Sequence, residues 1–131
     1  MKFLVDTCVW SAVLRHKNPH RELTKRLKDF IADGRVSIIG PIRQELLSGI
    51  TDTKQFNRLK GLLSPFEDIP LSTEHFIKAA EFANTCRSKG IQGSTIDFLI
   101  CSVAHSENLI IFTTDNDFEN YKKYLPIKIL I

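Results

Sequence analysis

Four acidic residues stand where predicted strands end or predicted helices begin: Asp6, Glu45, Asp97 and Asp115. Carboxylates held close together repel one another, and at least one stays protonated unless a cation compensates them. Oxygen ligands without histidine or cysteine beside them favour Mg²⁺ or Mn²⁺. Such an ion lowers the pKa of bound water and stabilises charge on a phosphoryl group, so the residue types predict phosphodiester hydrolysis with one or two ions.

The stretch from residue 94 to residue 119 positions two of these acids. Ser94 is a good N-cap for a helix that Asp97 opens and Asn108 ends. The apolar run 109–112 does not alternate, which is typical of a strand buried on both faces of a parallel sheet. A helix that feeds such a strand runs antiparallel to it, so Asp97 should lie near Asp115 in the turn after the strand.

The other two acids are placed by the first half of the chain. Residues 2–5 predict a short buried strand that delivers Asp6 to its carboxyl end, with Thr7 capping the helix 8–14 that follows. Residues 36–39 predict the second strand, and Pro41 favours a helix start directly after it. Glu45 then lies within about one turn of that helix start. All four acids should meet at the carboxyl edge of one sheet, where open α/β proteins bind ligands.

The remaining elements complete an α/β pattern. Helices are predicted over 23–31, 56–63 and 72–90, the last with Phe76, Ile77, Ala80 and Ala83 facing inward. A brief strand is predicted at 66–69 and an edge strand at 127–131. The alternation favours a doubly wound domain over residues 1–131, with a mostly parallel sheet of four or five strands flanked by helices. The three successive helical segments between residues 41 and 90 suggest a dimer surface.

Composition narrows the class of protein. The chain has 131 residues, of which 43% are hydrophobic and 25% charged, which fits one globular domain. No apolar run approaches the roughly 20 residues that span a bilayer, and an acid follows the N-terminus too soon for a signal peptide. We therefore expect a cytoplasmic protein without a membrane contact. The three cysteines lack metal-ligand spacing and are expected to be buried free thiols.

Positive charge is concentrated between residues 15 and 28, where Glu22 is the single acid. This stretch is either a surface for a polyanion such as RNA or a solvated helix face. The candidate RNA-binding residues are Arg15, Lys17, Arg21, Lys25 and Arg26, with Lys28 at the end of the stretch.

The four acids lie in the segments LVDT, PIRQELLSG, STIDFLICSVA and FTTDNDF. In order and placement these resemble the PIN-domain ribonucleases, and most closely the toxins of VapBC toxin–antitoxin pairs. The resemblance covers the whole chain. It implies a Mg²⁺- or Mn²⁺-dependent endoribonuclease that cuts RNA, is usually a homodimer, and is held inactive by a cognate antitoxin protein.

The resemblance also implies roles for hydroxyl groups beside the acids. Thr7 matches the serine or threonine that the family often places after the first acid, and Thr113 matches the threonine near the last. Asp115 leaves its strand directly and is the preferred fourth acid. Asp117 is expected to cap a short helix after residue 117, although it too could reach the ions.

Each acid has a simpler explanation when taken alone. Asp97 could complete a capping box with Ser94, Glu45 could be a solvated helix residue, and Asp115 and Asp117 could be turn formers. Four such coincidences at one edge of a sheet are much less probable together than singly.

Two other functions remain open. One is a PIN-like module that binds RNA or protein without cleaving it. The other is a Mg²⁺-dependent phosphoacceptor or phosphatase domain that uses Asp6 as nucleophile, although the segment LVDTC lacks the second acid that such sites place nearby. A Ca²⁺-binding EF-hand loop from Asp115 is excluded, because its sixth position is Asn120 and its twelfth is Pro126.

Overall fold

A four-stranded parallel sheet forms the centre of the protein. The computed structural model describes residues 1–14 and 21–130. The strands are β1 (Phe3–Val5), β2 (Val36–Ser37), β3 (Ile110–Phe112) and β4 (Lys128–Leu130). The helices are α1 (Thr7–Leu14), α2 (Arg21–Ala32), α3 (Gly40–Leu47), α4 (Thr53–Leu63), α5 (Thr73–Ser88), α6 (Thr95–Ser106) and α7 (Asp117–Lys122). This architecture confirms the predicted α/β class.

The strand order β2-β1-β3-β4 brings the ends of the first and third strands together. Phe3 pairs with Ile110 and Val5 with Phe112, all in parallel register. The backbone N–H of Asp6 continues this ladder by donating to the carbonyl of Phe112 at 2.9 Å. The chain leaves β1 for its neighbour β2 on one side and, after β2, crosses to β3 on the other side, so Asp6 lies at a topological switch point, the usual place for a ligand crevice.

Apolar strands and one apolar helix build the core around this sheet. Leu4, Val5, Ile111 and Phe112 are fully buried, as expected for strands covered on both faces. Every residue from Phe98 to Ala104 in α6 is buried as well. The helix that carries Asp97 and the strand that precedes Asp115 are therefore both anchored in the buried core.

The predicted strand at 66–69 is reduced to a single bridge. Asp68 pairs in parallel with Ile38, and the N–H of Ile69 donates to the carbonyl of Ile38 at 2.9 Å. The guanidinium of Arg43 holds this segment, since it donates to the Asp68 carboxylate at 3.0 Å and to the carbonyl of Leu63 at 2.9 Å. Pro70 follows at once and supplies no N–H for a longer ladder.

The predicted inward face of α5 is wrong at Phe76, Ile77 and Ala80, which are exposed, whereas Ala83 packs against the core as predicted. Phe76 is 52% exposed and Ile77 49% exposed, whereas His75, Phe82 and Cys86 are buried. His75 determines this rotation, because its Nδ1 accepts the N–H of Ser72 at 3.0 Å and its Nε2 lies 3.2 Å from the Glu107 carboxylate. With position 75 turned inward, positions 82 and 86 follow at helical spacing.

The start of α1 also differs from the prediction. The helix begins at Thr7, so Asp6 occupies the capping position that Thr7 was expected to fill. The Asp6 carboxylate accepts the N–H of Thr7 at 2.8 Å, and its carbonyl accepts the N–H groups of Val9 and Trp10. The N–H of the adjacent Thr7 therefore engages one oxygen of Asp6.

Candidate active site

The side chain of Asp6 accepts hydrogen bonds from residues that follow β1 and β3. Its side chain is only 6% exposed. Oδ1 accepts the Thr7 N–H, while Oδ2 accepts the hydroxyl of Thr113 at 2.8 Å and the thiol of Cys8 at 3.4 Å. Burial raises the pKa of Asp6, and the nearby charge of Asp115 raises it further, while the hydrogen bonds oppose that change. The carboxylate is thus rigidly placed beside other acids.

Thr113 connects Asp6 with the turn that carries the last acids. It is fully buried at the end of β3. Its hydroxyl donates to Asp6 and accepts the N–H of Asp115 at 3.0 Å. One side chain therefore contacts both Asp6 and the backbone of Asp115 and fixes their relative positions.

Asp97 opens α6 and is half-buried. Its N–H donates to Oγ of the N-cap Ser94 at 3.0 Å. Its carboxylate Oδ2 accepts the hydroxyl of Tyr121 at 2.7 Å. Burial raises the pKa of Asp97, and the charges of Asp6 and Asp115 contribute in the same direction. Helix capping therefore explains the backbone at this position and leaves the carboxylate facing other acids.

Asp97, Asp115 and Asp117 form a compact cluster. Each offers a carboxylate oxygen that lies within 4.8 Å of an oxygen from both others. The expected proximity of Asp97 and Asp115 is confirmed. The expectation that Asp117 caps α7 is wrong, because Asp117 is the first residue of the helix and its own N–H donates to Asp115 Oδ1 at 2.9 Å. Asn116 occupies the N-cap position without a side-chain bond, and the Asp117 carboxylate belongs to the cluster.

Glu45 lies on α3 at the exposed margin of this group. Partial burial raises the pKa of Glu45, followed by the charges of Asp6 and Asp97. The charges of Asp6 and Asp97 therefore reach Glu45, which is not one of the three acids whose oxygens converge within 4.8 Å. Among the hydrogen bonds of residues 1–14 and 21–130, none engages the Glu45 carboxylate, so it keeps both oxygens for an outside partner.

Two residues around the site were missed by sequence reasoning. Cys8 is half-buried, and its sulfur contacts Asp6, Thr113 and both the N–H and the hydroxyl of Thr114 at 3.3–3.4 Å. Cys86 and Cys101 are buried free thiols as expected. The other missed residue is Tyr121, whose position one turn after Asp117 was the available signal.

The predicted RNA-binding stretch is described only in part. Arg15 and Lys17 lie outside the described residues. Arg21 and Lys25 are exposed on α2, in keeping with a contact surface. Arg26 is half-buried, and its guanidinium lies 5.4 Å from the centroid of the Phe112 ring, which makes it partly a packing residue.

The donor set fits a hard divalent cation. All five acids offer oxygen ligands, and close carboxylates with raised pKa values are stabilised when a cation neutralises them. Asp97, Asp115 and Asp117 are the residues that would hold the ion directly. Asp6 and Glu45 complete the negative environment around them.

Fold and site together define an α/β protein with an acidic cluster at the switch point of a parallel sheet. The PIN domain model matches residues 3–124, and the chain belongs to the PIN domain family. A search of curated proteins found no relative with significant sequence similarity.

Solved structures share the whole fold. FitAcB from Neisseria gonorrhoeae has a TM-score of 0.81 at 18% identity, covering 98% of this chain and 96% of that one. VapBC2 from Rickettsia felis, bound to a DNA fragment from its promoter, has a TM-score of 0.76 at 20% identity, covering 99% and 98%. VapBC-5 from Mycobacterium tuberculosis, a member of a family of toxin–antitoxin systems, has a TM-score of 0.72 at 20% identity, covering 98% and 97%.

A search of residues 1–14 and 21–130 for membrane spans found no helix that is long and apolar enough.

Proposed function

We propose that this protein is a Mg²⁺- or Mn²⁺-dependent endoribonuclease. The observation that carries the proposal is the convergence of Asp97, Asp115 and Asp117 within 4.8 Å, beside a buried Asp6. A bound ion there would lower the pKa of water and stabilise charge on the phosphoryl group. Membership in the PIN domain family supports nuclease chemistry at this site.

The chain's own residues take distinct parts in this proposal. Asp97, Asp115 and Asp117 hold the ion, and Thr113 and the Thr7 backbone orient Asp6 beside it. Glu45 is the exposed carboxylate at the margin of the cluster, and no donor among residues 1–14 and 21–130 engages it, so its oxygens are open to a water molecule. We assign to its Oε atoms the acceptance of the proton from the attacking water.

The phosphoacceptor alternative loses support in this geometry. A nucleophilic carboxylate needs an oxygen that a substrate can approach. Both oxygens of Asp6 accept protein hydrogen bonds, and the side chain is 6% exposed. A module that binds RNA or protein without cleaving it would be expected to lack one of the acids. All four predicted acids are present in this chain, so this alternative has no such support.

The direct test is incubation of the purified protein with total RNA, with Mn²⁺ or with EDTA, followed by mapping of the cut ends. We expect cleavage with the ion and none with EDTA. Asp6→Asn or Asp97→Asn should lower the rate at least about 100-fold while the fold survives, since loss of a site's outer partners alone costs about 10- to 100-fold. Asp52→Asn at the N-cap of α4 is the matched control and should cut normally. Normal cleavage by the Asp97 variant would contradict the assignment.

We further propose that the protein is the toxin of a toxin–antitoxin pair and acts in the cytoplasm. Support comes from the fold shared with VapBC and FitAcB structures and from an acidic site that a basic side chain of an antitoxin can fill. Co-expression with a small neighbouring reading frame should give a stable complex that no longer cuts RNA. Recovery of free, fully active enzyme from its native cells would count against this role.

We also propose a homodimer formed through α5. Phe76 and Ile77 are adjacent, large and about half exposed on this helix. Apolar side chains presented together in this way mark interaction surfaces more often than single exposed residues do. A second copy of the chain would cover them.

A further inference from the structure

Tyr121 is a buried residue that contacts the acidic cluster through its hydroxyl group. It is fully buried on α7, and its ring contacts Phe98 at 5.1 Å and Phe118 at 5.2 Å between centroids. Its hydroxyl donates to Asp97 Oδ2 at 2.7 Å. A buried phenol normally needs such a partner, and here the partner is one of the three clustered acids.

Two helices are joined by this hydrogen bond. Tyr121 lies four residues after Asp117, so the two share one face of α7. Asp97 belongs to the first turn of α6. The bond from Tyr121 to Asp97 therefore ties the helix that carries one acid of the cluster to the helix that carries another.

Gly93 provides the space for this contact. A Cβ atom at position 93 would lie 2.4 Å from the Tyr121 hydroxyl oxygen and 2.9 Å from the ring of Phe98. Such separations are far shorter than van der Waals contact, so any side chain there would displace the phenol. Glycine at 93 is thus needed for close approach rather than for an unusual backbone angle.

We propose that Tyr121, seated against Gly93, is a positioning residue that orients Asp97 to bind the divalent cation. The proposal rests on the metal-dependent function proposed above. The phenol holds one oxygen of Asp97 and so restricts the rotation of the carboxylate. Partners that orient a metal-binding side chain in this way typically contribute about 10- to 100-fold in metal affinity.

The test is Mn²⁺ binding by isothermal titration calorimetry, without RNA. Tyr121→Phe removes only the hydroxyl, and Gly93→Ala displaces it. Both should weaken Mn²⁺ affinity about 10-fold or more. The matched controls are Tyr124→Phe at an exposed tyrosine and Gly61→Ala at a helix position where a Cβ meets nothing within 4 Å. Both controls should bind Mn²⁺ as the wild type does.

Stoichiometry separates positioning from mere packing. A positioning role lowers the affinity while the number of ions bound per chain stays at the wild-type value, whereas partial unfolding lowers that number. Tyr121→Phe that binds Mn²⁺ as tightly as the wild type overturns the proposal, and so does a wild type that binds no Mn²⁺. If the wild type binds Mn²⁺ but cuts no RNA, the nuclease function fails, while weakened binding in both site variants still supports the role of Tyr121.

Discussion

The carboxylate of Asp115 accepts the backbone N–H of Asp117, the first residue of α7, at 2.9 Å, while Asn116 at the N-cap position makes no side-chain cap bond. Both acids also belong to the cluster with Asp97. Asp115 therefore has two tasks, holding the helix end and supplying charge. The Asp117 carboxylate supplies charge without accepting a helix N–H.

Substitutions at these positions should separate the two tasks. Asparagine keeps the accepting oxygen but removes the charge, so Asp115→Asn and Asp117→Asn should both weaken Mn²⁺ binding with little change in stability. Asp115→Ala should in addition lower the free energy of unfolding by about 1 kcal/mol, because the first N–H of α7 loses its hydrogen-bond acceptor. Asp117→Ala should not. Calorimetric titration and urea unfolding measure the two effects, and equal stability of the two alanine variants would contradict the division.

The metal-free protein should become more stable as the pH falls. Burial and neighbouring charges raise the pKa values of Asp6, Asp97 and Glu45 above their ordinary values of 3.8 and 4.5. The folded state therefore holds protons that the unfolded chain has released, and the free energy of unfolding decreases as pH rises from the ordinary values through the raised ones.

Melting temperatures between about pH 5 and pH 7 provide the measurement for this pH dependence. The wild type in EDTA should gain stability toward the acidic end, and Asp97→Asn should gain less because one raised carboxyl is removed. Saturating Mn²⁺ should reverse the trend, since the ion requires deprotonated ligands. If the melting temperature changed equally with pH in the wild type and in the Asp97 variant, the acidic cluster would not be the cause of the pH dependence.

RNA binding should depend on salt through α2. Arg21 and Lys25 are exposed there. Each phosphate contact that is lost reduces the slope of the logarithm of the binding constant against the logarithm of salt concentration by about 1. The double variant Arg21→Gln and Lys25→Gln should therefore bind RNA more weakly, and its binding constant should depend less steeply on salt concentration. Binding is measured in a catalytically inactive background so that the RNA is not cut. Arg26 is left unchanged because its guanidinium also packs over Phe112.

A matched pair of lysines on α4 controls for charge alone. Lys54 and Lys60 are exposed, and replacing both by glutamine changes the net charge equally. Fluorescence anisotropy with a labelled RNA over a range of salt concentrations measures both double variants in an Asp97→Asn background. If the α2 variant bound RNA with the same salt dependence as the wild type, the basic stretch would be only a solvated helix face.

The exposed face of α5 should control oligomeric state. Phe76→Asp places a charge where we propose that a second copy packs, so the protein should become monomeric in sedimentation equilibrium. Leu62→Asp is the control, because Leu62 is also an exposed apolar residue, at 43%, but lies on α4. A wild type that is already monomeric, or a Phe76 variant that stays dimeric, would exclude this surface.

Local pattern determined the class of fold and the acids at its edge. Short unbroken apolar runs predict buried parallel strands, and the residue that follows such a run must emerge at the carboxyl end. Asp6 and Asp115 were placed by this reasoning, and the N-cap Ser94 placed Asp97. The proximity of Asp97 and Asp115 then followed from the antiparallel path of a helix that feeds a parallel strand.

Tertiary contacts decided which faces turn inward and which atoms support the acids. The apolar residues of α5 surround the helix, so periodicity could not choose a side, and the bonds of His75 to Ser72 and Glu107 turned Phe76 and Ile77 outward. Tyr121 and Gly93 meet only after α7 has packed against α6. Contacts between residues far apart in sequence leave no periodic signal in the chain, because they depend on how whole elements pack rather than on local spacing.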